Sequence, residues 1–214
     1  MTRRLLTVVL LCCAVCQAAT RMLVTVVDQR TGRPVEGLRA SDFTVLEDNR
    51  PRAVEAVETP TGLLDIMLLL DASLLGSSVQ PLAENLIGQL REGEQMAVVA
   101  MHESADLVQD FTSSRELLLA AVGSSPRGGS PRILDAIYAA MDSGFRAAGF
   151  RRAVLVLTAG VEGPSRVGER DVVRLARRNG VSVYAVYVFG HARDTFERLA
   201  RATGGAHFPL RDSR

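Results

Sequence analysis

Lysine is absent from this 214-residue chain, and all 25 basic residues are arginine. A phosphate-binding loop that ends in lysine is therefore excluded. No Gly-x-Gly-x-x-Gly follows a predicted strand either, so a dinucleotide site would lack its glycine turn. Cysteine occurs only at Cys12, Cys13 and Cys16. Beyond residue 16 there is no thiol for a disulfide, a nucleophile or a zinc ligand. No block of one charge sign is present: 25 basic residues stand against 24 acidic ones, a formal net charge of +1. That balance gives no electrostatic footprint for nucleic acid. Long apolar runs are also missing, apart from one of about a dozen residues that is too short to span a bilayer.

That run lies at 5–16. Arg3 and Arg4 precede it, and small residues at Cys16, Ala18 and Ala19 follow, before polar Thr20 and Arg21. The pattern is that of a secretory signal peptide over residues 1–18; a buried terminal strand or helix is the alternative reading. Cleavage after Ala18 or Ala19 would leave a chain without cysteine, exported to the periplasm or beyond the cell. The residues before each cysteine do not form Leu-small-small-Cys, so a lipid anchor is not expected. No transmembrane span is expected in the mature form, and an exported domain without disulfides must be held by its core.

With 47% hydrophobic residues, the remainder can support one core of roughly 150 residues and a small appendage. The appendage is the segment 19–60. It contains a short β run at 23–27, a turn-rich stretch with Gly32 and Pro34, and a strand at 43–46. A turn at Glu47, Asp48 and Asn49 comes next, then a third strand around Val54 and Val57. With so few large apolar side chains it should lean on the larger domain C-terminal to it. Pro60, Thr61 and Gly62 mark the joint.

The domain at 61–214 alternates apolar strands with amphipathic helices. DIMLLLDAS (65–73) is almost wholly apolar, as a strand covered on both faces must be. The stretch 79–90 puts Leu82, Leu86, Ile87 and Leu90 on one helical face. Strands are predicted at 95–101, 107–111, 153–158, 181–189 and 206–210, and helices at 114–122, 132–147, 169–178 and 193–202. This order predicts a three-layer α/β/α sandwich around a six-stranded, mostly parallel sheet. The connection between Met101 and Leu107 is too short for a crossover helix, so one strand is antiparallel and lies at an edge. Ligands of such sheets sit at the carboxyl ends of the strands.

Three loops fall at that rim: Asp71-Ala72-Ser73, Gly128-Gly129-Ser130 and Thr158-Ala159-Gly160. Converging oxygen ligands of this kind suit a hard divalent cation such as Mg²⁺ or Ca²⁺. Asp71 could instead accept hydrogen bonds from its own loop and fix the turn, and Ser130 could cap the following helix with Pro131 at its first position. Ser77 and Ser78 are placed to cap the helix that starts near Val79.

The three loops resemble the metal-ion-dependent adhesion site of a von Willebrand factor type A domain. Members of that family carry Asp-x-Ser-x-Ser after the first strand, a Thr in a Gly-rich loop before a middle helix, and an Asp after the fourth strand. Asp71 and Ser73 match the first loop, and Ser130, in GGSPRILDAI, takes the Thr position. Leu75 stands where the second Ser belongs, and Ala159, in LVLTAG, replaces the Asp. The front stretch GRPVEGLRASDFTVLEDNRPRAVEAVE is similar to the one that precedes this domain in exported proteins best known from acidobacteria. The resemblance covers nearly the whole chain after the leader.

The resemblance implies a non-catalytic module that binds a protein partner. It also implies metal ligands at Asp71, Ser73 and Ser130, weakened by the changes at Leu75 and Ala159. Cofactors are therefore expected to be none, or weakly held Mg²⁺ or Ca²⁺. Without metal, the rim would make ordinary contacts through Leu74, Leu75, Val161, Glu162, Phe189 or His191. A metal-dependent adhesion domain that takes a partner carboxylate, and a structural envelope component, are the alternatives. As for enzymes, LLDASLL lacks the Gly flanks of a nucleophile elbow, and His102 and His191 beside Asp71 are no triad without a contact. His207 reads as a surface residue of the last strand.

Overall fold

The computed structural model describes residues 20, 22, 24–28, 34–58, 63–145 and 151–210. The expected leader at 1–18 and the joint at 60–62 lie outside the described residues, as do Leu23 and Gly32.

After a short 3-10 turn at Ala40–Asp42, the front segment forms a hairpin of β1 (Val45–Glu47) and β2 (Arg50–Arg52), paired antiparallel. Its turn residues Asp48 and Asn49 have φ of 50° and 61°, the left-handed values that a two-residue hairpin turn requires. Asn and Asp tolerate that region better than other side chains. The second strand therefore follows the turn at once and contains Pro51, whereas the sequence pattern had placed it around Val54 and Val57. Proline is tolerated here because β2 is an exposed edge. The run at 23–27 is reduced to one bridge between Val27 and Pro34.

The main sheet has the order β5-β4-β3-β6-β7-β8. Its strands are β3 (Leu64–Asp71), β4 (Glu94–Met101), β5 (Ala105–Thr112), β6 (Arg151–Thr158), β7 (Val181–Tyr187) and β8 (His207–Pro209). All neighbours are parallel except β4 and β5, so the short connection after Met101 makes the one antiparallel edge. The helices are α1 (Gln80–Gly88), α2 (Arg115–Ser124), α3 (Ile133–Ala139), α4 (Glu169–Asn179) and α5 (Arg193–Thr203).

β3 is the axis of the molecule, with Met67 to Leu70 at most 3% exposed. Burying each such side chain stabilises the fold by about 1.5–3 kcal/mol. Met67 and Leu69 face Ile133, Ile137, Val172, Phe196 and Leu199 in the layer of α3, α4 and α5. Leu68 and Leu70 face Val79, Ala83, Ile87, Leu118 and Val122 in the layer of α1 and α2. The helix expected over 132–147 is shorter. After Ala139 it widens into a looser turn, Ala140–Gly144, and a Cβ at Gly144 would sit 2.3 Å from Cε of Met67.

Candidate functional site

β3 is followed in sequence by β4 on one side and is paired on its other side with β6, so the direction of winding reverses at β3. Ligand crevices of doubly wound sheets open at this reversal, beyond the carboxyl ends of the strands. The three loops singled out in the sequence meet there. The N–H of Gly128 donates to the Ala72 carbonyl at 3.1 Å, and that of Arg132 to the His102 carbonyl at 3.0 Å. The N–H of Gly163 donates to the Pro131 carbonyl at 2.7 Å.

Asp71, only 3% exposed, is the hub. Its Oδ1 accepts from the N–H of Ser73 at 2.9 Å. Its Oδ2 accepts from the Thr158 hydroxyl at 2.8 Å and from the Ala159 N–H at 2.9 Å. The carboxylate thus fixes its own turn and also joins the ends of β3 and β6. Ser73 Oγ in turn accepts from the N–H of Gly76 at 3.2 Å. Thr158 was expected in the third rim loop, but its hydrogen bond to Asp71 was not. Its signal was a hydroxyl closing a buried strand beside the one that ends in Asp71.

Two glycines permit this closeness. A Cβ on Gly76 would lie 2.0 Å from the Asp71 carbonyl oxygen. Gly160 has φ of +91°, and a Cβ there would lie 2.1 Å from the Phe189 carbonyl oxygen. Glycine alone fits such positions.

The family's two altered positions differ in setting. Ala159 is buried at 1% exposure, so no side chain replaces the missing carboxylate. Leu75 is 53% exposed and Leu74 80%, in a short 3-10 turn over Leu75–Val79. Ser77 and Ser78 do not cap α1. Their hydroxyls donate to the carbonyls of Leu74 and Leu75 within that turn. Ser130 is exposed and is not the N-cap of α3, which is Arg132 with no side-chain cap bond.

The N-terminus of α3 is satisfied by Glu162 and Ser165 instead, the former from the position assigned to the ligand rim. Glu162 Oε1 accepts from the N–H of Leu134 at 3.4 Å and from the Ser165 hydroxyl, and Ser165 Oγ accepts from the N–H of Asp135 at 3.3 Å. Burial pushes the Glu162 carboxyl above its ordinary value, against the hydrogen bonds from Ser165 and the helix N–H groups. Across the rim, Glu103 Oε2 accepts from the N–H of Gly129 at 2.8 Å. Backbone N–H donors, its own first and that of Gly129 next, hold its carboxyl below the usual range.

His102 is held by Asp106, with Nε2 to Oδ2 at 2.9 Å. Val161 is half-buried, while His191 and Asp194 are exposed. His207 is not a free surface residue: its ring stacks on Tyr187, and Nδ1 lies 3.1 Å from the Tyr187 hydroxyl. Phe189, which follows β7, is 45% exposed.

A hard divalent ion takes an octahedral shell of oxygens, commonly including carboxylates from the protein. Of the positions expected to hold metal, Asp71 is the one carboxylate, and its two oxygens already accept three hydrogen bonds; Ser73 and Ser130 add hydroxyls, while Glu103 and Glu162 at the rim accept from the N–H groups of Gly129 and Leu134. Among the described residues no group of three or more His, Asp or Glu could hold a metal ion.

A mostly parallel sheet between helical layers, with loops gathered where its winding reverses, defines a doubly wound α/β domain with its site at the carboxyl edge. The profile of the von Willebrand factor type A domain matches residues 65–213, and the chain belongs to that family. Its members commonly mediate protein–protein interaction. Solved structures with this fold include an aerotolerance-related membrane protein from Bacteroides fragilis, at 16% identity, covering 71% of this chain and 93% of that one, with a TM-score of 0.58. Proximal thread matrix protein 1 from the mussel byssus, solved with a zinc-occupied MIDAS motif, shares 19% identity over 69% of this chain and 41% of its own, with a TM-score of 0.60. A von Willebrand factor type A protein from Catenulispora acidiphila shares 19% identity over 73% and 40%, with a TM-score of 0.56. A search of curated protein sequences finds no match.

Proposed function

We propose that this domain is an exported, non-catalytic protein-binding module whose rim makes contact through apolar side chains rather than through a firmly held cation. The observation that carries the reading is the pairing of a locked carboxylate with an open apolar edge. Asp71 is buried and tied to three donors, while Leu74 and Leu75, in the loop that follows it, are exposed. Apolar side chains clustered at the edge of a crevice mark interaction surfaces. Export is supported by the leader pattern at residues 1–18.

Metal affinity in oxygen sites follows ligand number and charge. Loss of a hydroxyl at Leu75 and of a carboxylate at Ala159 removes both, and loss of supporting groups alone costs a site about 10- to 100-fold. Titration calorimetry with Mg²⁺ and Mn²⁺ tests this. The natural chain should give no saturable heat at millimolar metal, whereas the double variant Leu75→Ser, Ala159→Asp should bind at least tenfold more tightly. Cross-linking to an envelope extract should be insensitive to EDTA and lost in Leu74→Asp, Leu75→Asp. Tight metal binding by the natural chain, or cross-linking abolished by EDTA, would overturn the reading in favour of a metal-dependent site for a partner carboxylate.

A further inference from the structure

His102 opens the turn between β4 and β5, and its ring is set between two carboxylates. Nε2 lies 2.9 Å from Asp106 Oδ2, and Nδ1 lies 3.3 Å from Glu103 Oε2, with the histidine side chain only 13% exposed. The N–H of His102 closes the turn by donating to the Ser104 carbonyl at 2.9 Å. Nδ1 is also 3.3 Å from the backbone nitrogen of Ser104 and 3.3 Å from its hydroxyl. These two uses of Nδ1 exclude each other. A neutral ring that gives its Nε2–H to Asp106 keeps a lone pair on Nδ1. That lone pair can accept from Ser104, but it faces Glu103 as one acceptor faces another. A protonated ring carries N–H on both nitrogens and serves both carboxylates at once.

Glu103 passes this choice to the rim. The oxygen that faces the imidazole, Oε2, is the one that accepts from the N–H of Gly129 at 2.8 Å. Glycines bring the loop this close: a Cβ on Gly128 would lie 2.5 Å from Cβ of His102, and one on Gly129 2.8 Å from Glu103 Oε1. The Glu103 side chain is otherwise open to solvent, so its place over the loop depends on these polar contacts. Other charged groups lie on the elements packed against the turn. Arg127 and Arg132 belong to the loop before α3, where the Arg132 N–H binds the His102 carbonyl. Asp71, in register with Met101, has its carboxylate taken up by Ser73, Thr158 and Ala159.

We propose that His102 is a proton switch for the Gly128–Ser130 loop: the imidazolium draws Glu103 against Gly129 and fastens the loop to the β4–β5 turn, and the neutral imidazole lets it go. Histidines change charge between about pH 5 and 8, a range in which carboxylates stay ionised. Backbone donors hold the Glu103 carboxyl below its usual range, so the partner of the ring keeps its charge throughout. The switch acts on one of the three rim loops but is read in the ligand-free protein, so it stands or falls independently of what the rim binds.

The test is an NMR titration of the ¹⁵N-labelled full chain between about pH 5 and 8, following the His102 ring protons and the Gly129 amide. The two signals should share one midpoint. The protection of the Gly129 amide against hydrogen exchange, corrected for the intrinsic rate, should fall by about 2- to 10-fold as the ring loses its proton, the net worth of one hydrogen bond. In His102→Gln the Gly129 response across this range should vanish. In Glu103→Gln the side-chain oxygen still accepts from Gly129 but carries no charge, so Gly129 should stop following the ring while His102 still titrates. Dispersed amide spectra check that both variants are folded. A Gly129 amide that ignores the titration of the ring, a ring that keeps one protonation state across the range, or a Gly129 response that persists unchanged in either variant would each overturn the proposal.

Discussion

Asp71 accepts three hydrogen bonds from Ser73, Thr158 and Ala159, and that arrangement makes its role measurable without any ligand. In EDTA, Asp71→Ala should destabilise the domain by about 3 kcal/mol in urea unfolding, because it leaves three inward donors without an acceptor. A carboxylate retained only for a cation would behave in the opposite way, since its removal relieves a buried charge. Glu162 gives a second residue-level test. Its folded carboxyl lies above the ordinary value of 4.5, so the fold prefers the protonated form. Its contribution is fully present below that value and is lost as pH rises through the raised one. Glu162→Gln keeps an acceptor for Leu134 and Ser165 but carries no charge. It should flatten the fall in stability between acid and neutral pH, which urea midpoints at pH 4 and pH 7 would show; an unchanged difference would count against burial as the cause. Asp71 and Ser73 were legible as rim residues because they close and follow an apolar run, and Ser130 because it lies in a Gly/Ser/Pro loop before a helix. The bond from Thr158 to Asp71 and the turn of Glu162 into α3 were not, because a hydrogen bond 87 residues away in sequence leaves no local pattern.

Strands buried on both faces, such as β3, have an unmistakable composition, and together with the helical periodicity and turn residues it let the order of the eleven strands and α-helices from β3 to β8 be read. Boundaries and caps were less legible. Ser77, Ser78 and Ser130 have the right chemistry for helix caps, but a 3-10 turn and two residues of extended loop separate them from the helices they precede. The hairpin was misplaced because Pro51 argues against a strand unless that strand is known to be an exposed edge. Loop closeness is tested by comparing two glycines that both have positive φ. Gly180, at +62°, has nothing within 4 Å of the place a Cβ would take, so Gly180→Ala should cost only about 1 kcal/mol of backbone strain. Gly160→Ala adds a collision with the Phe189 carbonyl to similar strain and should cost clearly more, about 3 kcal/mol. Equal costs from urea unfolding would mean that the β6 and β7 ends separate easily.

None of the described residues before 59 is buried, whereas β3 and the strands beside it hold most of the core. The front piece therefore cannot supply a nucleus of its own, as its shortage of large apolar side chains already implied. Its described attachment to the domain runs through Thr25, by hydrogen bonds to Tyr184 and Gly204, and through Val24, which lines a cavity together with Ile66, Leu155 and Phe208. Two hydrogen bonds of this kind stabilise by about 0.5–1.5 kcal/mol each, so a chain begun at residue 63 should still fold, with a loss of no more than about 3 kcal/mol. The excised segment 20–58 should show no cooperative unfolding, since a two-stranded hairpin without a buried face is at best marginal in water. Circular dichroism and urea titration of the two fragments decide the matter. If the fragment begun at 63 failed to fold, the front piece would be completing the sheet face of Leu155, Val186 and Phe208, and Val24 and Thr25 would belong to the domain's own folding unit.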